Sequence, residues 1–235
     1  MNKSIFWISF ITIVLLIAAI LTIIFVGVDV LTVFSNLFLL IPAVTAYYLN
    51  RRLRSIIYVF MCTFSALYHL CDSYELCLFS FEFHHNLDFF FAEFLIILGG
   101  LYLVEFTMKT QWIEYWLIFT GALIIVILQN LLPGELSVQA GITAVVFFGV
   151  IIYWIAYRYE FGHIPKYDWS YLTLGLALTA GSITLFSVQN MWYQGYWGIH
   201  SLWHTAAALG QHYILMSRKK APLIQAAAGR INYHF

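Results

Sequence analysis

The chain has 235 residues, of which 63% are hydrophobic and only 9% are charged, and its basic and acidic side chains balance at 11 each. Soluble domains carry about 25% charged residues, so the composition excludes an ordinary water-soluble fold. The zero net charge indicates no nucleic-acid partner. The apolar runs are continuous and do not alternate, which favours an all-α polytopic membrane protein over a β-barrel.

Eight apolar stretches are candidates for membrane spans, each of which needs about 20 residues. We predict spans at residues 4–28, 30–49, 55–70, 87–106, 112–131, 138–157, 169–188 and 196–216. The first is longer than the apolar core of a signal peptide, so we expect a retained helix, with a cleaved signal as the alternative. The chain then divides into an additional N-terminal helix (residues 1–29), a membrane core (30–217) and a tail (218–235). We expect a solvent-exposed loop between the third and fourth spans, at residues 71–86.

Positive charge is confined to alternate connections between the spans. Basic residues occur at Lys3, Arg51, Arg52, Arg54, Lys109, Arg158, Lys166, Arg218, Lys219 and Lys220. The connections at 71–86, 132–137 and 189–195 contain no Lys or Arg. By the positive-inside rule, this asymmetry predicts eight spans with both termini in the cytoplasm.

Ionisable side chains inside membrane spans are costly and are functional candidates by default. His200 and His204 lie four residues apart early in the last span, so they share one helix face, where two imidazoles can bind one metal. Ser201 follows His200 where the zinc metalloprotease motif requires Glu, which excludes that class on this motif. His69 lies late in the third span, and Asp88 lies early in the fourth.

The predicted topology brings five polar residues to one depth in the outer leaflet: Ser65, His69, Asp88, His200 and His204. Three neutral imidazoles with an open fourth position are typical of a catalytic zinc site. Nitrogen ligands favour Zn²⁺ over calcium or magnesium. Each residue alone has a simpler explanation: a structural histidine, a carboxylate at a helix N-terminus, or a serine bonded to its own helix.

Other polar residues are weaker candidates. His84 and His85, in the predicted loop, are less favoured as metal or substrate contacts, and we expect His212 to pack through a hydrogen bond. Cys62, within the third span, is interpreted as a small apolar packing residue.

The spacing of the polar set resembles that of the CREST superfamily. The matching features are Ser-x-x-x-His (Ser65, His69), an Asp at the start of the next helix (Asp88) and His-x-x-x-His in the last helix (His200, His204). That superfamily includes alkaline ceramidases, the adiponectin and progestin receptors, and the myomaker and transmembrane-protein-8 family. Over residues 30 to 217, the stretches YHLCDSYELC, HNLDFFFAEF, RRLR and GIHSLWHTAAAL are most similar to the myomaker and transmembrane-protein-8 branch.

The resemblance implies a seven-helix core, to which the first span is an addition. It implies that His69, His200 and His204 are the zinc ligands, and that Asp88 and Ser65 orient the reacting water. It also implies a disulfide between Cys71 and Cys77 in a non-cytoplasmic loop, a compartment that permits the bond.

These observations predict a zinc-dependent integral-membrane lipid hydrolase that cleaves an amide or ester bond, as ceramidases or phospholipases A2 do. We expect it in the plasma membrane or a secretory-pathway membrane, with the zinc site near the non-cytoplasmic face. The alternative is a non-enzymatic, myomaker-like fusion or remodelling protein, or a lipid-sensing receptor, with a structural zinc. The role of Asp88 distinguishes these functions: as a fourth metal ligand it favours a structural zinc, and as a base beside an open metal position it favours the hydrolase.

Overall fold

The computed structural model describes residues 30–104, 111–132, 136–191 and 196–218. This part of the chain folds into helices joined by short turns and contains no β-strand, which confirms the predicted all-α class. The predicted additional helix at 1–29 and residues 219–235 of the predicted tail lie outside the described residues.

The helices follow one another along the chain with short connections. Helix α1 (Val30–Ser35) continues through a 3₁₀ turn (Asn36–Leu39) into α2 (Leu40–Tyr48). The others are α3 (Arg52–Tyr74), α4 (Phe81–Leu103), α5 (Gln111–Leu131), α6 (Leu136–Phe161), α7 (Trp169–Val188), a second 3₁₀ turn (Gln189–Met191) and α8 (Tyr196–Met216). Six segments of the described chain, α1–α2 together and α3 to α7, are long and apolar enough to cross a membrane. Helix α8 is 21 residues long, about 31 Å at 1.5 Å per residue, but it carries more polar side chains.

The connection between the third and fourth predicted spans is shorter than predicted. Helix α3 ends at residue 74 rather than 70, and α4 begins at 81 rather than 87. Asp72, His84 and His85 therefore belong to helices and not to an exposed loop. Ser80 caps α4, because its Oγ accepts a hydrogen bond from the Phe83 N–H at 3.3 Å. Hydropathy underestimates the lengths of both helices, because the helix ends at the membrane boundary carry polar residues.

Helices α7 and α8 approach each other through glycines. A Cβ atom added at Gly175 would lie 2.8 Å from the backbone nitrogen of Ile214. One added at Gly210 would lie 2.6 Å from Thr179 Oγ1 and 3.1 Å from the Thr179 nitrogen. Small residues at a helix crossing allow the close backbone contact that stabilises helix pairs in membranes. This contact fixes the position of α8, which carries His200 and His204.

At the opposite end of the bundle from the histidines, a buried arginine joins three helices. Arg54 of α3 is 2% exposed and donates from Nε to Glu114 of α5 at 3.0 Å and from Nη1 to the Leu98 carbonyl of α4 at 2.6 Å. The guanidinium groups of Arg54 and Arg218 lie over the ring of Tyr102, 5.2 and 5.4 Å from its centroid. The Arg54–Glu114 pair is thus part of the structural core, a role that its position in a basic cluster does not reveal.

We predict that Gly175→Ala lowers the free energy of unfolding by about 1–3 kcal/mol, because the added methyl group overpacks the α7–α8 crossing. Gly181→Ala on the same helix is the matched control, since a Cβ there meets nothing within 4 Å. Alanine is the better helix former, so the control should be neutral or slightly stabilising. Thermal unfolding of the purified proteins in detergent measures both, and equal melting temperatures would contradict the close-packing argument.

Candidate metal centre

The five predicted site residues come from three helices and are all buried. Ser65 and His69 lie one turn apart on α3, Asp88 lies two turns into α4, and His200 and His204 lie one turn apart on α8. Their exposed fractions run from 0% for His69 to 5% for Asp88. The four-residue spacings place each pair on one helix face. The structure therefore brings all five residues into the same region of the bundle.

The three imidazoles meet at a single point. The Nε2 atoms of His69 and His200 are 3.0 Å apart, and the ring of His204 lies 5.1 and 4.5 Å from theirs, centroid to centroid. One ring nitrogen from each residue lies within 4.8 Å of the other two. Zn–N bonds of 2.0–2.1 Å in a tetrahedral site hold ligand nitrogens about 3.3 Å apart. Small side-chain movements would therefore bring these nitrogens to zinc-binding distances.

Hydrogen bonds to the outer ring nitrogens fix two of the three tautomers. His200 Nδ1 donates to Gln189 Oε1 at 2.6 Å. Ser35 Oγ donates to the Thr32 carbonyl, so it accepts from His204 Nδ1 at 2.9 Å. With their protons on Nδ1, both residues turn an Nε2 lone pair toward the centre of the cluster. Partners of this kind orient and strengthen histidine ligands of metals.

Two buried nitrogens of the cluster have no hydrogen-bond partner among the described residues. They are His204 Nε2 and His69 Nδ1. A buried nitrogen lone pair without a donor is unfavourable, and a cation at the centre of the cluster would satisfy that of His204. The donor set, burial and tautomers of these histidines therefore fit a metal ion. No described partner orients His69 through its outer nitrogen, so its ring is held by packing against Tyr68 and His200.

Asp88 lies beside the histidines and is not part of the metal-ligand group found among the described residues. Its Oδ1 accepts a hydrogen bond from Ser65 Oγ. Both side chains line a cavity together with His204 and Asn36. The space open to the centres of water molecules there is about 20 Å³, which is room for roughly one water. This arrangement favours Asp88 as a proton acceptor beside the cluster over Asp88 as a fourth ligand.

Three residues of this region were not predicted from the sequence: Ser35, Asn36 and Gln189. Asn36 is fully buried, its Nδ2 donates to the Thr32 carbonyl at 2.8 Å, and its Oδ1 has no partner among the described residues. The adjacent polar pair Ser35-Asn36 within an apolar run was the sequence signal that could have indicated them. Gln189 lies in a 3₁₀ turn just after α7, and only the fold places it beside His200.

The remaining candidates lie outside the three-histidine group. His84 is buried, and its Nε2 accepts from the Phe79 N–H at 3.2 Å. His212 packs through a hydrogen bond, as predicted: its Nδ1 lies 2.8 Å from Thr45 Oγ1. Cys62 is buried with a free thiol. His85, in the second turn of α4, stacks against Phe81.

The predicted disulfide is confirmed. Cys71, in the last turn of α3, is bonded to Cys77 in the connection to α4, with Cα atoms 4.4 Å apart. The bond closes a loop of a few residues at the end of the bundle that holds the histidines. Because Cys71 lies only two residues after His69, the disulfide also anchors the end of the helix that carries this ring.

The fold and the site define an all-helical integral membrane protein with a buried cluster of three histidines. A family model described as "Protein of unknown function (DUF3522)" matches residues 24–205, and the chain belongs to this family. The matched range contains all five predicted site residues. No curated protein matches the chain significantly.

We predict that Ser35→Ala weakens Zn²⁺ binding about 10- to 100-fold, because His204 loses the partner that fixes its tautomer. Ser182→Ala is the matched control: Ser182 is also buried, and its Oγ also donates to a carbonyl of its own helix, that of Thr179 at 2.8 Å. Competition with a chelating dye measures the affinity of each purified protein. Equal affinities in the two variants would contradict the role of Ser35, and a wild-type protein that binds no Zn²⁺ would contradict the metal site.

Proposed function

We propose that this protein is a zinc-dependent integral-membrane lipid hydrolase, with His69, His200 and His204 as metal ligands. The observation that carries the proposal is the convergence of three buried imidazoles beside a carboxylate, Asp88, that lies outside the ligand group. Three protein ligands with a free fourth position are typical of catalytic rather than structural zinc. Zinc in such a site supplies Lewis acidity and lowers the pKa of its water to about 7.

The side chains around the cavity have separate roles in this mechanism. Asp88 accepts the proton of the attacking water as the new C–O bond forms, and returns it to the nitrogen or oxygen of the leaving group. The Ser65 hydroxyl, bonded to Asp88 Oδ1, holds the carboxylate in position. Asn36 Oδ1, which has no partner among the described residues, can accept a hydrogen bond from a water in the cavity. Gln189 and Ser35 keep the imidazoles in the tautomers that bind metal.

A lipid is the substrate that suits this position in the bundle. The rest of the cavity wall is apolar, with Leu39, Met61, Leu95 and Trp203 among its residues. A second cavity of about 340 Å³, almost entirely apolar, lies between α4, α6, α7 and α8, within the size range of ligand pockets. It reaches Gln211, which follows His204 by seven residues, or about 10 Å along α8. This distance suits an acyl chain whose carbonyl lies at the histidines.

The CREST-like architecture is part of the same proposal. The segment Val30–Tyr48 and helices α3 to α8 supply seven helices for the core, and a helix at 1–29 would bring the number of spans to eight. The basic residues Arg51, Arg52 and Arg158 lie at the end of the bundle away from the histidines. The positive-inside rule then places this end and both termini in the cytoplasm. The Cys71–Cys77 bond favours a non-cytoplasmic side for the histidine end, in the plasma membrane or a secretory-pathway membrane.

The second candidate function is a membrane-remodelling protein or lipid-sensing receptor with a structural zinc. One observation favours it: the cavity beside the histidines has room for about one water and not for a lipid carbonyl. In this alternative, His69 of α3 and the two histidines of α8 would hold a zinc ion that stabilises the packing of these helices without turnover.

We predict that the purified protein releases fatty acid from at least one lipid in a panel of ceramides and phospholipids, measured by mass spectrometry. Asp88→Asn should retain zinc and lower the rate about 10²- to 10⁴-fold, because the proton acceptor is lost. His204→Ala should lose both zinc and activity.

Glu93→Gln is the matched control for Asp88→Asn, since Glu93 is a second buried carboxylate of α4 that lies outside the histidine group. It should retain activity. A zinc-loaded wild type with no release above His204→Ala on any lipid would refute the hydrolase and leave the structural-zinc function.

A further inference from the structure

A cationic cavity lies at the end of the bundle away from the histidines. Its walls are formed by the turn between α2 and α3 and by the first turns of α5, and they include Asn50, Arg51, Arg52, Arg54, Glu114 and Tyr115. Its volume is about 180 Å³, far larger than the water-sized space beside Asp88. The described walls carry three guanidinium groups and one carboxylate, a net charge of +2.

Among the residues that the structure describes, the close ion-pair partner Glu114 neutralises only one of the three arginines. Arg54 is buried and uses its guanidinium on Glu114 and on the Leu98 carbonyl. Arg51 is half-buried, and its Nη1 lies 3.8 Å from Glu114, at the outer limit of an ion pair. Arg52 is exposed and has no hydrogen bond or ion pair to any residue that the structure describes. Two guanidinium groups at the cavity are therefore available to an anion.

The backbone at the start of α3 adds to the positive electrostatic potential of the cavity. Asn50 adopts a left-handed conformation with φ of 60°, which Asn tolerates better than most residues. This turn starts α3 abruptly at Arg52, with no side chain capping the helix. The first-turn N–H groups of α3 are thus without intrahelical acceptors. Such N–H groups bind phosphate well because they carry the positive end of the helix dipole.

The position of the cavity in the bundle indicates which class of molecule supplies the anion. Helix α3 has 23 residues, or about 34 Å, slightly more than the roughly 30 Å of the hydrocarbon layer. Its first residues therefore lie at the level of lipid headgroups. Next to the cavity, α3 and α5 expose apolar side chains such as Ile56, Phe60 and Trp116, which are 52–61% exposed. A polar cavity beside an apolar surface matches a lipid with a phosphate headgroup and acyl chains.

We propose that this cavity binds the anionic phosphate group of a membrane lipid headgroup, through Arg51, Arg52 and the N-terminus of α3. Guanidinium groups suit phosphate because they donate two parallel hydrogen bonds. Basic pockets between membrane helices are known to select anionic headgroups. The site is separate from the histidine cluster, since Arg54 precedes His69 by 15 residues, about 22 Å along α3.

The test uses the purified full-length protein in a neutral detergent and three probes: dioctanoyl phosphatidylinositol 4-phosphate, dioctanoyl phosphatidylcholine and inorganic phosphate. Binding is quantified by native mass spectrometry. We expect the phosphoinositide to bind at least about tenfold more tightly than phosphatidylcholine, whose phosphate is neutralised by choline. The double variant Arg51→Gln/Arg52→Gln should weaken phosphoinositide binding about 30-fold, at about 1 kcal/mol for each charge removed.

The matched control is Arg158→Gln/Lys166→Gln. It removes the same charge from exposed residues near the same end of the bundle, outside the cavity, and should bind like the wild type. Equal losses in the two double variants, or no preference for the phosphoinositide, would overturn the proposal. If inorganic phosphate binds as tightly as the phosphoinositide, the claim that the phosphate belongs to a lipid is refuted, and the cavity is assigned to soluble phosphate. Monodispersity and melting temperature of each variant show whether it is folded.

Discussion

The burial of three imidazole rings around one point is the constraint on which the rest of the structure depends. His69, His200 and His204 are at most 4% exposed, and two of their Nε2 atoms lie 3.0 Å apart. Lone pairs so close in a medium of low polarity are unfavourable unless a cation or a proton lies between them. The hydrogen bonds that His200 and His204 donate to Gln189 and Ser35 maintain this arrangement, because they keep the protons of two rings on their outer nitrogens.

Three structural features position the residues of the site. The α7–α8 crossing, made possible by Gly175 and Gly210, fixes the helix that carries two histidines. The Cys71–Cys77 bond anchors the end of α3 just beyond the third. The turn through Asn36 interrupts the first described span, where α1 and α2 would otherwise form one helix. At this turn, Ser35 contacts His204 and Asn36 lines the cavity beside Asp88.

The two ends of the bundle differ in chemistry in a way that follows from charge and burial. The histidine end holds neutral, buried polar groups, a disulfide and a water-sized cavity, as a proposed hydrolytic site requires. The opposite end holds the guanidinium groups of Arg51, Arg52 and Arg54 and a larger cationic cavity. If both proposals hold, the protein contacts lipid acyl bonds at one membrane face and anionic headgroups at the other. Arg54, buried with Glu114, joins the second region to the helical core.

The sequence by itself determined the all-α membrane class, most helix positions and the five clustered residues, because apolar runs and four-residue spacings are local patterns. The disulfide was expected only from the family resemblance. The predicted end of α3 and the predicted start of α4 were wrong, because polar residues at the membrane boundary do not mark a helix end. Only the tertiary structure decided that Asp88 lies outside the three-histidine cluster, that Ser35 and Gln189 orient the imidazoles, and that Arg54 is buried. These facts depend on contacts between residues 11 to 169 positions apart, and no local pattern encodes the distance between two packed helices.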